Sequence, residues 1–195
     1  MPLLRTMEYI CGRSGAQGSS CSQARGTRHR IRALQTSTLT EIESNEEQRM
    51  DMLDEELNRV LGGGLVQGSL TLIGGEPGIG KSTLILQTVL RLTHKRILYV
   101  SGEESARQLK LRAVRIPHPE NDNLLIACET SLEQIFTHIK NAAPDLVIID
   151  SIQTISTENI DSSPGSIVQV RECTASLLKV CQRNRHTGYP HRTYQ

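Results

Sequence analysis

The amino-acid sequence predicts an α/β fold with a mostly parallel sheet flanked by helices, on three observations. Four short apolar runs, Leu70 to Gly74, Ile97 to Ser101, Leu124 to Ala127 and Leu146 to Asp150, read as buried strands, too short and too continuously apolar for surface helices. Amphipathic segments at about 82–94, 104–114 and 131–141 lie between them. Strand then helix, repeated, implies a parallel sheet covered on both faces. The chain has 195 residues, 37% of them apolar and 22% charged, which suits one globular domain with a buried core.

Taken in order, residues 1–36 are dominated by Gly, Ser, Arg and Gln without helical or strand periodicity, and are expected to lack a stable core. Residues 37–182 form the core. Within it, Leu53 to Leu61 is helical in pattern, and Gly62 to Gly64 reads as the stop that aims the chain into the first strand. Ser131, with Gln134 three residues on, opens a helix with a capping-box pattern. A last helix begins near Ser163 and Pro164. Residues 183–195 are polar and basic and are expected to form a tail outside the core.

Bulk properties remove several functional classes. With one Phe, four Tyr and no Trp, the core must be aliphatic and a base-stacking platform has few candidate residues. A formal net charge of +1 gives no global attraction to nucleic acid or membrane. No stretch approaches the ~20 apolar residues of a membrane span and the N-terminus lacks a secretory apolar core, so a cytoplasmic protein is expected. Cys11, Cys21, Cys128, Cys173 and Cys181 are odd in number and irregularly spaced, which argues against a disulfide framework. Arg25, Arg28, His29, Arg30 and Arg32 form the one dense positive cluster, read as a solvated face.

The chemistry is concentrated in Gly75, Glu76, Pro77, Gly78, Ile79, Gly80, Lys81, Ser82 and Thr83. This stretch satisfies GxxxxGK[S/T], with an apolar strand before it and an amphipathic helix after it, so backbone N–H groups and a helix N-terminus can converge on phosphates. Lys81 would reach the β- and γ-phosphates, Ser82 would enter a Mg²⁺ shell, and Thr83 could donate near the α-phosphate. The ligand expected is ATP with Mg²⁺. Asp150, ending the most apolar strand, is the candidate second holder of the metal, against the alternative of a turn cap. Glu103 or Glu104, after the strand that follows the loop helix, is the candidate catalytic base, with Lys81 beside the transferred phosphate. The competing reading makes both acids solvated first-turn residues favoured by the helix dipole. Gln153 could sense the γ-phosphate or face water.

Between about Leu39 and Lys179 the chain resembles the ATPase core of the bacterial RadA (Sms) DNA-repair family, a RecA-like branch of P-loop NTPases. The resemblance rests on LDEELNRVLGGGLVQGSLTLIGGEPGIGKSTL at 53–84, ILYVSGEESARQLKLRAVRI at 97–116, PDLVIIDSIQTI at 144–155 and SSPGSIVQVRE at 162–172. It implies a DNA-dependent ATPase that processes recombination intermediates and promotes branch migration on single-stranded DNA, as a homo-oligomeric ring beside the strand-exchange recombinase. It maps Walker A onto Gly75 to Ser82, the Walker B acid onto Asp150, and the GEES block onto Gly102 to Ser105.

Departures from the family pattern are as specific. The family's four-cysteine zinc motif keeps only Cys11 and Cys21 here, with Ser14 and Ala24 where partners belong, and two ligands do not hold a structural zinc. Later core strands, the KNRFG motif and a Lon-protease-like domain are expected in the family and lie beyond the match, which stops near Val180. A frameshift or truncation would give such ends. Two other functions follow from these features: a nucleotide-binding remnant without turnover, and a small-molecule or nucleotide kinase, for which no arginine-bearing lid segment is found between the strands.

Overall fold

The computed structural model describes residues 6–12, 40 and 48–186. Its elements in chain order are β1 (Thr6–Gly12), β2 (Arg49–Met50), α1 (Glu55–Val60), β3 (Leu65–Val66), β4 (Leu70–Gly75), α2 (Lys81–Arg91), β5 (Ile97–Ser101), α3 (Ala106–Val114), β6 (Leu124–Cys128), α4 (Leu132–Ala142), β7 (Leu146–Asp150), a short 3-10 turn (Ile152–Thr154) and α5 (Ile167–His186). The four apolar runs of the sequence are β4, β5, β6 and β7. All five residues of β5 and of β7 are buried, as expected for strands covered on both faces.

These strands form a five-stranded sheet in the order β4-β1-β7-β5-β6, while β2 and β3 pair separately. The β5–β6 and β5–β7 pairings are parallel. Successive side chains of a strand point to opposite faces, and β5 and β7 use this to build two cores. Ile97, Tyr99, Leu146 and Ile148 pack with Ile85, Leu86 and Val89 of α2 and Leu109 and Ala113 of α3. Leu98, Val100, Val147 and Ile149 pack with Leu132 and Ile135 of α4 and Cys173 and Leu177 of α5. Two helices therefore cover each face. Every fully buried aliphatic side chain in these layers contributes about 1.5–3 kcal/mol of transfer free energy.

The expectation that residues 1–36 carry no stable structure is overturned for Thr6–Gly12. These residues form β1, which lies between β4 and β7 and runs antiparallel to both: Ile10 pairs with Thr71 on one side and Ile148 on the other. Without it, β4 and β7 would face each other across an empty strand position, each with a row of unpaired backbone groups. Local periodicity does not reveal such a strand, because its stabilisation comes from backbone pairing with residues ~60 and ~140 positions away. The rest of the N-terminal region, with Cys21 and the basic cluster at Arg25 to Arg32, lies outside the described residues, as does 187–195. Helix α5 continues to His186, past the expected core end at 182.

Helix ends follow local chemistry with one exchange. Ser131 caps α4 by accepting from the Gln134 N–H, but its own N–H donates to Glu129, so the expected box is only half formed. The complete box occurs at α3, where Ser105 and Gln108 cap each other reciprocally. Gly62, Gly63 and Gly64 all have positive φ after α1, and Gly63 N–H bonds to Asn58 O at 2.8 Å, consistent with a helix stop. Cys181 is disulfide-bonded, which the irregular cysteine spacings did not mark, whereas Cys128 and Cys173 are free thiols. Disulfide formation requires Cα atoms within about 7 Å, which packing decides and spacing does not. Burial pushes the Cys173 thiol up to about 11, with Glu133 and Glu172 adding to the shift. Among the described residues no helix is long and apolar enough to cross a membrane.

The segment after the 3-10 turn is tied down by polar side chains. The Thr157 hydroxyl donates to Glu133, and buried Gln169 donates to the carbonyls of Thr157, Ile160 and Ser162. The Thr157 bond is the main cause holding the Glu133 carboxyl below its ordinary range. A carboxylate whose folded value is depressed stabilises the fold above its unfolded value and loses that contribution as pH falls through the folded value. Glu133→Gln should therefore be less stable than wild type at neutral pH, with the difference shrinking as the pH falls below the ordinary glutamate range, in denaturant titrations across acidic pH. Ile10→Pro removes a backbone donor inside an interior strand of the sheet and should cost about 1–3 kcal/mol. An unchanged unfolding midpoint for Ile10→Pro would show that Thr6–Gly12 is not paired in the sheet.

Candidate functional site

The loop between β4 and α2 owes its shape to glycine. Gly78 (φ 80°) and Gly80 (φ 95°) occupy the left-handed region, and a Cβ on Gly75 would stand 2.6 Å from Ile79 Cδ1. Gly80 is also the N-cap of α2, and no side chain caps that helix. The first-turn N–H groups are thus directed at the loop concavity, where an anion can take the place of a capping oxygen. Glu76, Pro77, Gly78, Ile79, Gly80 and Thr83 are exposed, so the cradle is open to solvent.

Lys81 is the exception, only 8% exposed. Its ammonium folds back over the loop and donates to the carbonyls of Gly75 (3.2 Å) and Glu76 (2.7 Å). A cation held there on backbone carbonyls alone has capacity for a further, negatively charged partner. Ser82, one residue along α2, donates to Asp150 Oδ1 at 3.1 Å. The loop and the end of β7 are joined by this bond across the width of β1.

Asp150 collects further partners on its other oxygen. The Tyr99 hydroxyl, rising from the middle of β5, donates to Oδ2, and Arg112 Nη2 of α3 stands 3.9 Å from the same atom. Arg112 Nη1 donates to Glu104 Oε1 at 2.9 Å. Glu103 accepts from the Ser151 hydroxyl at 3.0 Å. Two backbone bonds hold both glutamates against the sheet: Gly102 N–H to Asp150 O (3.1 Å) and Glu104 N–H to Ser101 Oγ (3.0 Å). Gly102 has to be glycine, since a Cβ there would lie 1.9 Å from Thr154 Oγ1.

Structure thus brings Lys81, Ser82, Asp150, Glu103 and Glu104 to one end of the sheet, the carboxyl ends of β4, β5 and β7. Gln153 lies in the 3-10 turn just beyond. Three residues of this site escaped sequence reasoning. Tyr99 carried a signal, as the one aromatic residue in an apolar strand. Arg112 and Ser151 carried none, because each is a common polar residue whose role depends on what lies across from it.

Among the described residues no three His, Cys, Asp or Glu side chains are grouped to hold a metal. Ser82 with Asp150 supplies two oxygens, which suits Mg²⁺, a cation that completes its octahedral shell with water and substrate phosphate oxygens. The chemistry of this donor set therefore fits a phosphate-bridged magnesium better than a cation caged by protein.

A model of the AAA domain family matches residues 35–188. The chain is also similar to the DNA repair protein RadA of Listeria monocytogenes serovar 1/2a, 41% identical over 201 residues, covering 91% of this chain and 44% of that protein. The DNA repair protein RadA of Bacillus subtilis strain 168 is 49% identical over 157 residues, covering 79% and 34%, respectively. That of Streptococcus pyogenes serotype M1 is 55% identical over 130 residues, covering 66% and 28%. This chain belongs to the AAA domain family, in its RadA branch of RecA-like ATPases. It spans less than half the length of these relatives. Nucleotide with Mg²⁺ is the general cofactor pair of the family, and the open glycine cradle, the buried lysine and the serine–aspartate pair are suited to both.

Removing one hydroxyl tests whether Asp150 is held as described. Tyr99→Phe should lower stability by about 1 kcal/mol, the net worth of one buried hydrogen bond. Nucleotide binding without divalent cation should remain as in wild type while its Mg²⁺ dependence shifts. A variant indistinguishable from wild type in both denaturation and Mg²⁺ titration would remove Tyr99 from the site.

Proposed function

We propose that the chain binds Mg²⁺-ATP and acts as a DNA-dependent ATPase of DNA repair. The observation that carries the reading is the 3.1 Å bond from Ser82 to Asp150, which joins the phosphate-binding loop to the acid at the sheet's end as one site. In this reading Lys81 exchanges its two carbonyl partners for phosphate oxygens, which is favourable because a charged acceptor binds an ammonium more strongly than a neutral one. Gly75 to Thr83 orient the triphosphate through backbone N–H groups. Ser82 and Asp150 would hold magnesium, which would supply charge neutralisation at the transferred phosphate. Glu103 or Glu104 would align and deprotonate the attacking water.

The wider reading follows from the RadA relatives, whose name is DNA repair protein. It comprises single-stranded DNA and recombination intermediates as substrates, branch migration beside the strand-exchange recombinase, a homo-oligomeric ring and a cytoplasmic location. Zinc is left out of the proposal, since Cys11 and Cys21 alone do not make a ligand set.

The decisive experiment measures nucleotide binding and phosphate release by the purified chain, with and without single-stranded DNA, beside Lys81→Ala, Glu103→Gln and Glu104→Gln. DNA-stimulated release that disappears in Lys81→Ala supports the proposal, with the loss expected at about 100-fold or more for a principal phosphate contact. Binding without release would identify a nucleotide-binding protein without turnover. Phosphate transfer to a small acceptor would replace the repair assignment with a kinase.

A further inference from the structure

Arg112 stands between two acids and satisfies neither fully. Its Nη1 donates to Glu104 Oε1 at 2.9 Å, while Nη2 lies 3.9 Å from Asp150 Oδ2, too far for a hydrogen bond. In consequence Glu104 Oε2, Arg112 Nε and Arg112 Nη2 are buried with no hydrogen-bond partner. Buried polar atoms of charged groups are rarely left so, because each costs its desolvation without return. A guanidinium and a carboxylate ordinarily meet as a fork, two parallel N–H···O bonds. Here the fork is half made, and what diverts its second prong is the carboxylate at the end of β7.

We propose that Arg112 is a positioning residue with two seats: drawn between Glu104 and Asp150 when Asp150 holds no cation, and closed on Glu104 as a full fork when one is held there. The proposal rests on the reading of Asp150 and Ser82 as cation holders. Two positive groups compete for one carboxylate, so cation binding at Asp150 weakens the pull on Nη2. Arg112 then gives Nη2 to Glu104 Oε2, and these two of the three orphaned atoms gain a partner. The Glu104 carboxylate becomes fixed by two bonds where it had one. Arg112 reaches Glu104 along two turns of α3 whose N-terminus is locked by the Ser105–Gln108 box, so backbone on either side of the pair stays in place while the side chain moves. Through this residue, occupation of the metal position and the placement of an acid beside it are coupled. Lysine cannot reproduce the second seat, having a point charge and no fork.

The test uses the whole chain, a fluorescent ATP analogue and Mg²⁺ titration, followed by phosphate-release kinetics, for wild type, Arg112→Gln, Arg112→Lys and Glu104→Gln. In Arg112→Gln the competing charge is gone, and the Mg²⁺ concentration giving half-maximal nucleotide binding should fall about threefold to tenfold. Arg112→Lys should restore the wild-type Mg²⁺ dependence. Both substitutions should lower kcat about tenfold with KM within about threefold, since neither can pin Glu104. Unchanged Mg²⁺ dependence in a folded Arg112→Gln overturns the proposal. So does a loss of fold in Arg112→Gln that the added Glu104→Gln change suppresses, which is the behaviour of a purely structural ion pair. A wild-type chain that binds nucleotide but releases no phosphate defeats the hydrolytic reading alone, and the Mg²⁺ titration still decides the clamp. A chain that binds no nucleotide overturns both.

Discussion

Asp150 is the point on which the site and much of the sheet's carboxyl end converge. Its two side-chain oxygens receive Ser82 from the loop helix and Tyr99 from the neighbouring strand, and its backbone carbonyl receives Gly102 from the turn that carries the two glutamates. A carboxylate only 8% exposed needs such partners, because desolvation of an unpaired charge is costly. Those partners belong to β5, α2 and the Gly102 turn, so satisfying one acid positions three separate elements. Lys81, on the same helix as Ser82, inherits its placement from this arrangement.

The sheet explains why Asp150 can serve in this way. Strands β5 and β7 are buried on both faces, which makes their carboxyl ends rigid, and the turn leaving β5 is short and depends on Gly102. Rigid strands ending in a few residues of constrained backbone are the arrangement on which ligands of open α/β sheets are held. The β1 strand adds a constraint of another kind. Inserted antiparallel between β4 and β7, it sets the spacing between the loop and the acid, and Ser82 and Asp150 meet across it.

The charged groups of the site are partnered within the protein. Lys81 rests on carbonyl oxygens and Arg112 on Glu104, with Asp150 nearby, while Glu103 is held through Ser151. None of these pairings uses its cation to full capacity. A ligand bearing several negative charges and a metal would therefore find donors already in position, and binding would require exchange of partners rather than refolding.

The amino-acid sequence determined, unaided, the four principal strands, the helices between them and the glycine-rich loop before α2, because those depend on short-range facts. Apolar runs such as LVIID, period-3.6 segments and a GxxxxGK[S/T] spacing are set by neighbours within a few turns of chain. Glu103, Glu104 and Asp150 were also legible, as acids at strand ends. Only the tertiary structure decided that Thr6–Gly12 is a central strand, that Cys181 is bonded, and that Tyr99, Arg112 and Ser151 surround the acids. In each case the stabilising partner lies far along the chain, and nothing local marks which distant residue will be opposite. Periodicity and motif record what a segment is built to do with its own neighbours. What fills the gap between β4 and β7, and which cation leans on Asp150, is settled only when the sheet has closed around them.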